Sequence, residues 1–393
     1  MIEKVSILNG RSRYDVFHVW QKSLLKAFLS LDIDADIIPV FEESKHADER
    51  TLTLAFNMNR VWSTGSFDHP HLSWLVDHPV FHADYFMPEK SRIPLNPSMC
   101  HAANVSRYWT QVGRRLYHTD HLHFLPHAAS RSKCIDPADR DHSLDVVFFG
   151  SLNDPESLLE KLKSISGPLW PGIQEIMRHH AQTPFYIPLD IMLWQMGTEM
   201  GFSKEHICLM TNALFPLLDM YFRNVSRLAA LRSIRQIEVH IFGKGPWREC
   251  GLGNNFHIHE PVPYTEVLDI LSRTRILFNH TPTLHQGMHE RILDALASGC
   301  AVLSTESAYL AEQFPFNPAI QTFSAANPQQ ANLLLRRMLR VAHPAARIRD
   351  AQDILARHHT MLSRARTIAE WFAIPSRAGH ACTNNVYAMA ETS

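Results

Sequence analysis

Short runs rich in Val, Ile, Leu and Phe alternate with longer runs of helical period along most of this chain, and few folds accept that rhythm. Near the start, Lys4–Leu8, Asp34–Val40, Thr51–Phe56, His71–Val76 and His121–Leu125 read as strands. Phe17–Leu31 and Ser106–Leu116 carry apolar residues at helical spacing between them. The rhythm returns later, with strands expected at Asp145–Phe149, Ile237–Phe242, Asn255–His259, Arg275–Asn279 and Cys300–Ser304. Helices are expected there over Tyr264–Arg273 and Met288–Ser298. Strands that alternate with helices build a parallel, doubly wound sheet covered on both faces.

The chain has 393 residues, which suits two domains better than one core. The polar stretch AASRSKCIDPADRDHS, Ala128–Ser143, interrupts the alternation and marks the joint. Residues 1–130 are therefore expected to form one Rossmann-like domain, 131–144 a linker, and 145–345 a second Rossmann-like domain. The fold class is α/β, two doubly wound domains facing a cleft. The second domain carries extra helices. They lie at about 155–235, a stretch broken by Gly and Pro near Gly167–Gly172 and too long for a plain connection. Residues 346–393 read as C-terminal helices free to pack back on the first domain, and the last twenty residues are polar.

The net charge of −1 gives no general attraction to nucleic acid or anionic lipid. The six cysteines are scattered without a C-x-x-C pair, so a disulfide framework or cysteine zinc site is not expected. No stretch approaches the roughly 20 apolar residues of a membrane span. MIEKVSILNG reads as a first strand rather than a leader, and a cytoplasmic protein is expected. The 25 histidines include no H-E-x-x-H, and the adjacent pairs His179-His180 and His358-His359 point different ways on a helix. They are expected to be ordinary hydrogen-bonded histidines, and no metal site is expected. A homo-oligomer stays open.

In doubly wound sheets, ligands bind outside the carboxyl ends of the strands. The loops to inspect are Asn9-Gly10, Asp77–Pro79, Gly150-Ser151, Gly243–Gly245, Glu260–Pro263 and Asn279–Gly287. Gly243-Lys244-Gly245 offers close backbone approach and one positive charge, and equally suits a plain turn with a surface lysine. It is not a P-loop, and no G-x-G-x-x-G fingerprint occurs, which disfavours a dinucleotide oxidoreductase. The richest segment is HQGMHERILDALASGCAVLSTES, residues 285–307. It gathers His289, Glu290 and Arg291 at the start of a helix, where open N–H groups and a partial positive charge suit a phosphate. Asp294 lies one turn on from Glu290 and is placed to accept hydrogen bonds from a sugar diol. An amphipathic helix with a solvated Glu290–Asp294 face and Arg291 in a surface ion pair fits the same residues.

These segments resemble the C-terminal domain of GT-B glycosyltransferases, with the greatest likeness to the spore-maturation (CgeB-like) group. The matching features are Gly243 and Gly245, Pro263-Tyr264, a strand ending in Asn279, then Arg291 and Asp294-Ala-Leu-Ala-Ser-Gly299. DVVFFGSL (Asp145–Leu152), SWLVDHP (Ser73–Pro79) and HFLPHAAS add further likeness in the same order. The resemblance implies a nucleotide-diphosphate sugar, UDP foremost, held by the second domain, with the acceptor on the first. It implies that Asp294 binds ribose hydroxyls and that Arg291 and Lys244 face the diphosphate near Gly150-Ser151. His289 and Glu290 stand beside them, and the loop at Val262–Tyr264 would border the base. It further implies transfer without a bound metal, to a protein, glycan or small-molecule acceptor. One departure stands out: broader retaining relatives carry Glu, seven residues, then Glu, whereas this chain has Gln286 and Asp294 at those places.

An inverting transfer needs a general base within reach of the attacking hydroxyl. Asp77, at a strand end facing the expected cleft, is the first choice and His78 the second. An Asp before His-Pro also makes ordinary turns. Trp74 reads as core, and His127 is a lesser candidate at the domain joint. Two other functions remain open from sequence: a nucleotide-sugar epimerase on the same fold, and a binding module that kept the nucleotide site without turnover.

Overall fold

The computed structural model describes residues 1–10, 12–57, 69–81, 100–117, 121–340 and 345–375. The expected C-terminal segment 346–393 therefore lies partly outside the described residues, from 376 onward, as does Cys382.

The first domain contains β1 (Lys4–Asn9), α1 (Val16–Leu29), β2 (Asp34–Pro39), α2 (Glu43–His46), β3 (Thr51–Phe56) and β4 (His71–Leu75). It continues with β5 (Cys100–Asn104), α3 (Arg107–Tyr117) and β6 (Leu122–Phe124). Its strands are parallel in the order β2-β1-β3-β4-β5-β6. Strand β5 was not expected, because CHAAN lacks β-branched residues and alternation. It forms because β4 and β6 flank it, with register His71↔Cys100 to Leu75↔Asn104 on one side.

The second domain opens with β7 (Leu144–Phe149), then four helices, α4 (Pro155–Ser166), α5 (Trp170–Gln182), α6 (Leu189–Glu199) and α7 (Lys204–Ser233). Alternation resumes with β8 (Val239–Phe242), β9 (Phe256–His259), α8 (Tyr264–Ser272), β10 (Thr274–Asn279) and α9 (Glu290–Ala297). It ends with β11 (Ala301–Thr305), α10 (Ala308–Gln313), β12 (Ile320–Phe323) and α11 (Gln329–Arg340). The order is β12-β11-β10-β7-β8-β9, all parallel. The order reverses between β7 and β10 here, and between β1 and β3 in the first sheet. Ligands of doubly wound sheets sit at such switch points.

The described part of the insertion is helical, and its helices have their own core. Ile173, Leu193, Ile207, Leu214 and Leu218 are buried together, each contributing about 1.5–3 kcal/mol by leaving water. Helix α7 spans two cores. Its N-terminal half packs in the insertion, while Leu228 and Leu231 pack under the sheet beside Val146 and Val239. The middle of this helix is thereby carried past the end of β7.

The linker is tied to the second domain. Arg131 donates Nε to Ser298 Oγ at 3.0 Å and Nη2 to the Leu268 carbonyl at 2.9 Å. Arg140 donates Nε to the Ser272 carbonyl at 2.8 Å. Helix α12 (Ala345–His358) packs on α9, whereas α13 (Met361–Trp371) crosses back, burying Met361, Ala365 and Ile368 with Trp20, Leu24 and Phe28 of the first core. Buried Arg364 secures the crossing by donating Nε to Pro126 O at 2.7 Å and Nη2 to His127 O at 2.9 Å.

Candidate active site

Two cavities lie between the domains, around the N-terminus of α9. One, of about 510 Å³, is bordered by Gly150, Ser151 and Gly243 of the post-strand loops, and by Tyr14 and Val16 of the first domain. The other, of about 280 Å³, reaches to Asp77, Trp109 and His127. Arg223, Arg227, His289, Glu290 and Arg291 line both.

Arg291 stands in the cleft, and its Nη1 donates to the Phe149 carbonyl at the end of β7. Its Nη2 lies 3.0 Å from His289 Nε2. His289 Nδ1 is 2.7 Å from Glu290 Oε2. The two shortest distances favour a neutral ring that donates from Nδ1 and accepts at Nε2, over the longer 3.3 Å approach of Arg291 Nε to Nδ1. His289 occupies the N-cap of α9, but its 3.4 Å separation from the Arg291 N–H is the weaker contact. Burial, then the charge of Arg291, pushes the His289 pKa down, consistent with that neutral form. Burial opposes the charge of Glu290, yet His289, His127 and Arg291 outweigh it and hold its carboxyl well below the usual carboxylate range.

Arg227 and Arg223 arrive from α7, four residues apart and so on one face of the helix. Arg227 Nη1 donates to the Ser151 carbonyl, and its guanidinium lies 5.6 Å from the Phe148 ring centre. Burial, then Arg223 and Arg291, push its pKa down from 12.5 to about 9. Arg223 pairs with Asp219 at 2.6 Å. The Nε atoms of Arg223 and Arg227 are buried without a hydrogen-bond partner. Three guanidiniums thus crowd one cavity rim although their mutual repulsion is unfavourable. An anion placed there would relieve it.

Of the residues singled out from sequence, Gly150, Ser151, Gly243, Tyr264, His289, Glu290 and Arg291 border the large cavity. Gly243 has a packing reason to be glycine: a Cβ there would stand 1.8 Å from the Gly150 carbonyl oxygen. Asp77 is exposed at the far side of the cleft, with Oδ2 accepting from Asn57 Nδ2 at 2.7 Å. His78 is buried, its ring stacked on Phe215 at 4.4 Å. Trp74 is core, donating Nε1 to Leu125 O at 3.0 Å. His127 is buried against Trp20 at 5.2 Å, and burial pushes its pKa down to about 4.

Four of the expected residues lie away from the cavity walls. Lys244 is exposed outside both cavities, and its backbone carbonyl accepts from Leu152 N at 2.8 Å. Gly245 lies outside both cavities too, where φ +129° and the Leu152 carbonyl 2.1 Å from a hypothetical Cβ demand glycine. Asn279 is 2% exposed and spends its Nδ2 on Thr281 Oγ1 at 3.0 Å and Ser304 Oγ at 2.9 Å. Asp294 is 0% exposed and lines neither cavity. It accepts from Ser130 N at 2.6 Å, from Ser130 Oγ at 3.1 Å and from the Tyr264 hydroxyl. Its oxygens fasten the chain at Ser130, just before the linker, to α9. Burial pushes its pKa up to about 6.

Sequence reading missed Arg223, Arg227 and His280. His280 is buried, with Nε2 3.0 Å from Ser226 Oγ and Nδ1 unpartnered at the smaller cavity. The available signal was the arginine pair at helical spacing in an insertion without an assigned role. Among the described residues, no group of three or more His, Cys, Asp or Glu is gathered as for a metal ion. No helix among them is long and apolar enough to cross a membrane.

Two parallel six-stranded domains facing a cleft, with loops at both switch points turned into it, define a GT-B fold. Residues 223–370, under half of the chain, match the model of a family described as glycosyl transferase-like. The chain is similar to Anabaena HepE, solved in complex with UDP-glucose: identity is 11%, coverage 94% of this chain and 99% of that one, TM-score 0.54. It is also similar to a glycosyltransferase from Rickettsia africae, at 10% identity, 94% and 98% coverage and TM-score 0.53. It spans 57% of the length of TarM, at 10% identity, 85% coverage of this chain and TM-score 0.47. No curated protein matches the sequence.

Proposed function

We propose that the protein is a glycosyltransferase that moves a sugar from UDP-sugar to an acceptor hydroxyl in a single displacement. The observation that carries this reading is the convergence of Arg223, Arg227 and Arg291 on a cavity between the β7 and β8 loops. The diphosphate occupies that rim. Its two charges are met by guanidiniums and by the N-terminus of α9, so the leaving group is stabilised as it departs. The nucleoside lies toward Val262 and Tyr264 in the larger cavity. Glu290, held ionised and beside both cavities, takes the ribose-binding role in place of Asp294. The sugar extends into the smaller cavity toward Asp77. UDP is taken as the donor nucleotide by likeness to HepE. The order of the sequence segments supports placement in the spore-maturation (CgeB-like) group.

In the reaction, the acceptor oxygen bonds to the anomeric carbon while the bond from that carbon to the phosphate oxygen breaks. The electron pair leaves with UDP, and the hydroxyl proton passes to Asp77. Gln286 fits this single displacement. Its side chain carries no charge, and its backbone carbonyl accepts from the Arg107 backbone N–H at 3.0 Å across the domain joint.

Thermal-shift titration with UDP, UDP-glucose and other nucleotide sugars tests the reading, since a ligand that binds only the folded state raises Tm. UDP and UDP-sugars are expected to raise Tm, and Asp77→Asn to keep that shift while turnover falls by roughly 10²–10⁴-fold. Donor binding with no transfer and no slow donor hydrolysis would make the protein a binding module instead.

A further inference from the structure

Beyond Asp77 the cleft continues into a slot of about 70 Å³ that the donor reading leaves unused. It lies between the first domain and the helical insertion, and it shares Asp77, Trp109 and Arg223 with the smaller cavity. Its walls are rings and aliphatic chains. His78 stacks on Phe215 at 4.4 Å, Trp109 meets His78 edge-on at 5.6 Å, and Phe81 meets Phe215 edge-on at 5.9 Å. Ile187 and Leu189 contribute to the lining from the insertion.

Its carboxylates are already engaged, and the buried unpartnered atoms among its lining residues include Arg223 Nε and His285 Nδ1. Asp219 is paired with Arg223 at 2.6 Å, and Asp190 accepts the Tyr108 hydroxyl at 2.9 Å. A guest bearing hydroxyls on every edge would lose water there and find few partners, which is unfavourable. Carboxylates outnumber the single arginine, so an anionic guest is repelled. A flat apolar ring gains contact with the aromatic walls. The slot is smaller than the roughly 150 Å³ closed cavity that holds benzene, but it is not closed and it meets the smaller cavity at Asp77, Trp109 and Arg223. A single ring therefore enters with its polar edge left in the mouth.

We propose that this slot is the acceptor pocket and that the acceptor enters as an uncharged single aromatic ring with its hydroxyl facing Asp77. This rests on the glycosyltransferase reading. The phenolic oxygen then bonds to the anomeric carbon, UDP leaves with the electron pair, and the phenolic proton passes to Asp77.

The test uses the full chain, the UDP-sugar that gives the largest thermal shift, and three acceptors: phenol, N-acetyltyrosinamide and methyl glucoside. Phenol and N-acetyltyrosinamide are expected to raise UDP release at least tenfold over water, with aryl glycoside formed, and methyl glucoside to leave it near the rate with water. Ile187→Trp, at a half-buried position, fills the slot and should raise KM for phenol at least tenfold. Phe81→Ala, at a position already 37% exposed, should raise it severalfold. Calorimetry of phenol binding to UDP-loaded protein gives the same comparison without turnover. Equal use of methyl glucoside, or phenol binding that Ile187→Trp leaves unchanged, would overturn the proposal. A protein that binds and hydrolyses UDP-sugar but ignores phenols keeps the donor reading and sinks the aryl acceptor. A protein that binds no nucleotide sinks both.

Discussion

Replacing Arg227 with methionine should weaken UDP binding while leaving the ligand-free protein as stable as before, or more so. The guanidinium is held where burial and two like charges push its pKa down from 12.5 to about 9. At 1.36 kcal/mol per pH unit, that displacement corresponds to roughly 5 kcal/mol, an upper figure that cavity water screens. The penalty is present in full at neutral pH and is relieved only as pH rises through about 9, where the folded protein sheds the proton. Against it stand the bond to the Ser151 carbonyl, worth about 1.5–3 kcal/mol, and the contact with Phe148, worth about 1–2 kcal/mol. The net gain on substitution is roughly 0–2 kcal/mol, or a Tm rise of up to several degrees. With UDP present the sign reverses. A charge about 6 Å from a phosphate at an effective dielectric of about 20 is worth roughly 3 kcal/mol. Sharing among three arginines lowers this to about 1.5–3 kcal/mol, a roughly 10- to 150-fold loss in Kd. Differential scanning fluorimetry with uridine, UMP, UDP and pyrophosphate reads both effects, and uridine should be unaffected. A variant that melts well below wild type yet keeps the full UDP shift would refute the view of this arginine as strained in wait for a diphosphate.

The two carboxylates one turn apart on α9 should titrate in opposite senses. Asp294, pushed up to about 6, contributes stability that is complete below pH 3.8 and lost as pH rises through 6, by roughly 3 kcal/mol. Asp294→Asn should therefore flatten the urea stability profile between pH 4 and 7, and an unchanged slope would count against its burial. Glu290, held low, contributes stability that is complete above its unfolded pKa of 4.5 and is lost only as pH falls through its far lower folded value, so Glu290→Gln should cost stability at pH 7 and progressively less below pH 4.5, with much of the cost still present at pH 3. Gly243→Ala forces a methyl group against the Gly150 carbonyl. It should cost about 1–3 kcal/mol and weaken UDP binding together with stability, as chemical denaturation and fluorimetry would show. Arg107→Ala removes a bidentate pair to Glu312 across the domain joint. Both side chains are over 40% exposed, so less than about 1 kcal/mol should be lost, and high salt should erase the difference.

Most strands were legible because burial between helices demands a dense apolar run, as in DVVFF and RILFN. The same reading passed over CHAAN and IQTF, which are strands only because neighbours on the sheet supply their hydrogen-bond partners. Gly243 was recognisable as a close-approach position, although what approaches it first is the Gly150 carbonyl, whereas a Cβ at Gly150 would meet the Phe148 ring. His289, Glu290 and Arg291 could be placed at a helix start from local pattern alone, and α9 begins at Glu290 with His289 as its N-cap.

Local order along the chain determined the doubly wound architecture, the position of the α9 N-terminus and the loops that carry glycine, because each depends on neighbours within a few residues. Only the tertiary structure decided which charges meet. Arg223 and Arg227 drew no reading from the sequence, and it is α7, anchored in two separate cores, that carries them past the end of β7. Asp294 reads as a cleft carboxylate until Ser130, 164 residues away, takes its oxygens. Side-chain direction depends on which surfaces pack together, and that is settled by contacts between residues far apart in the chain.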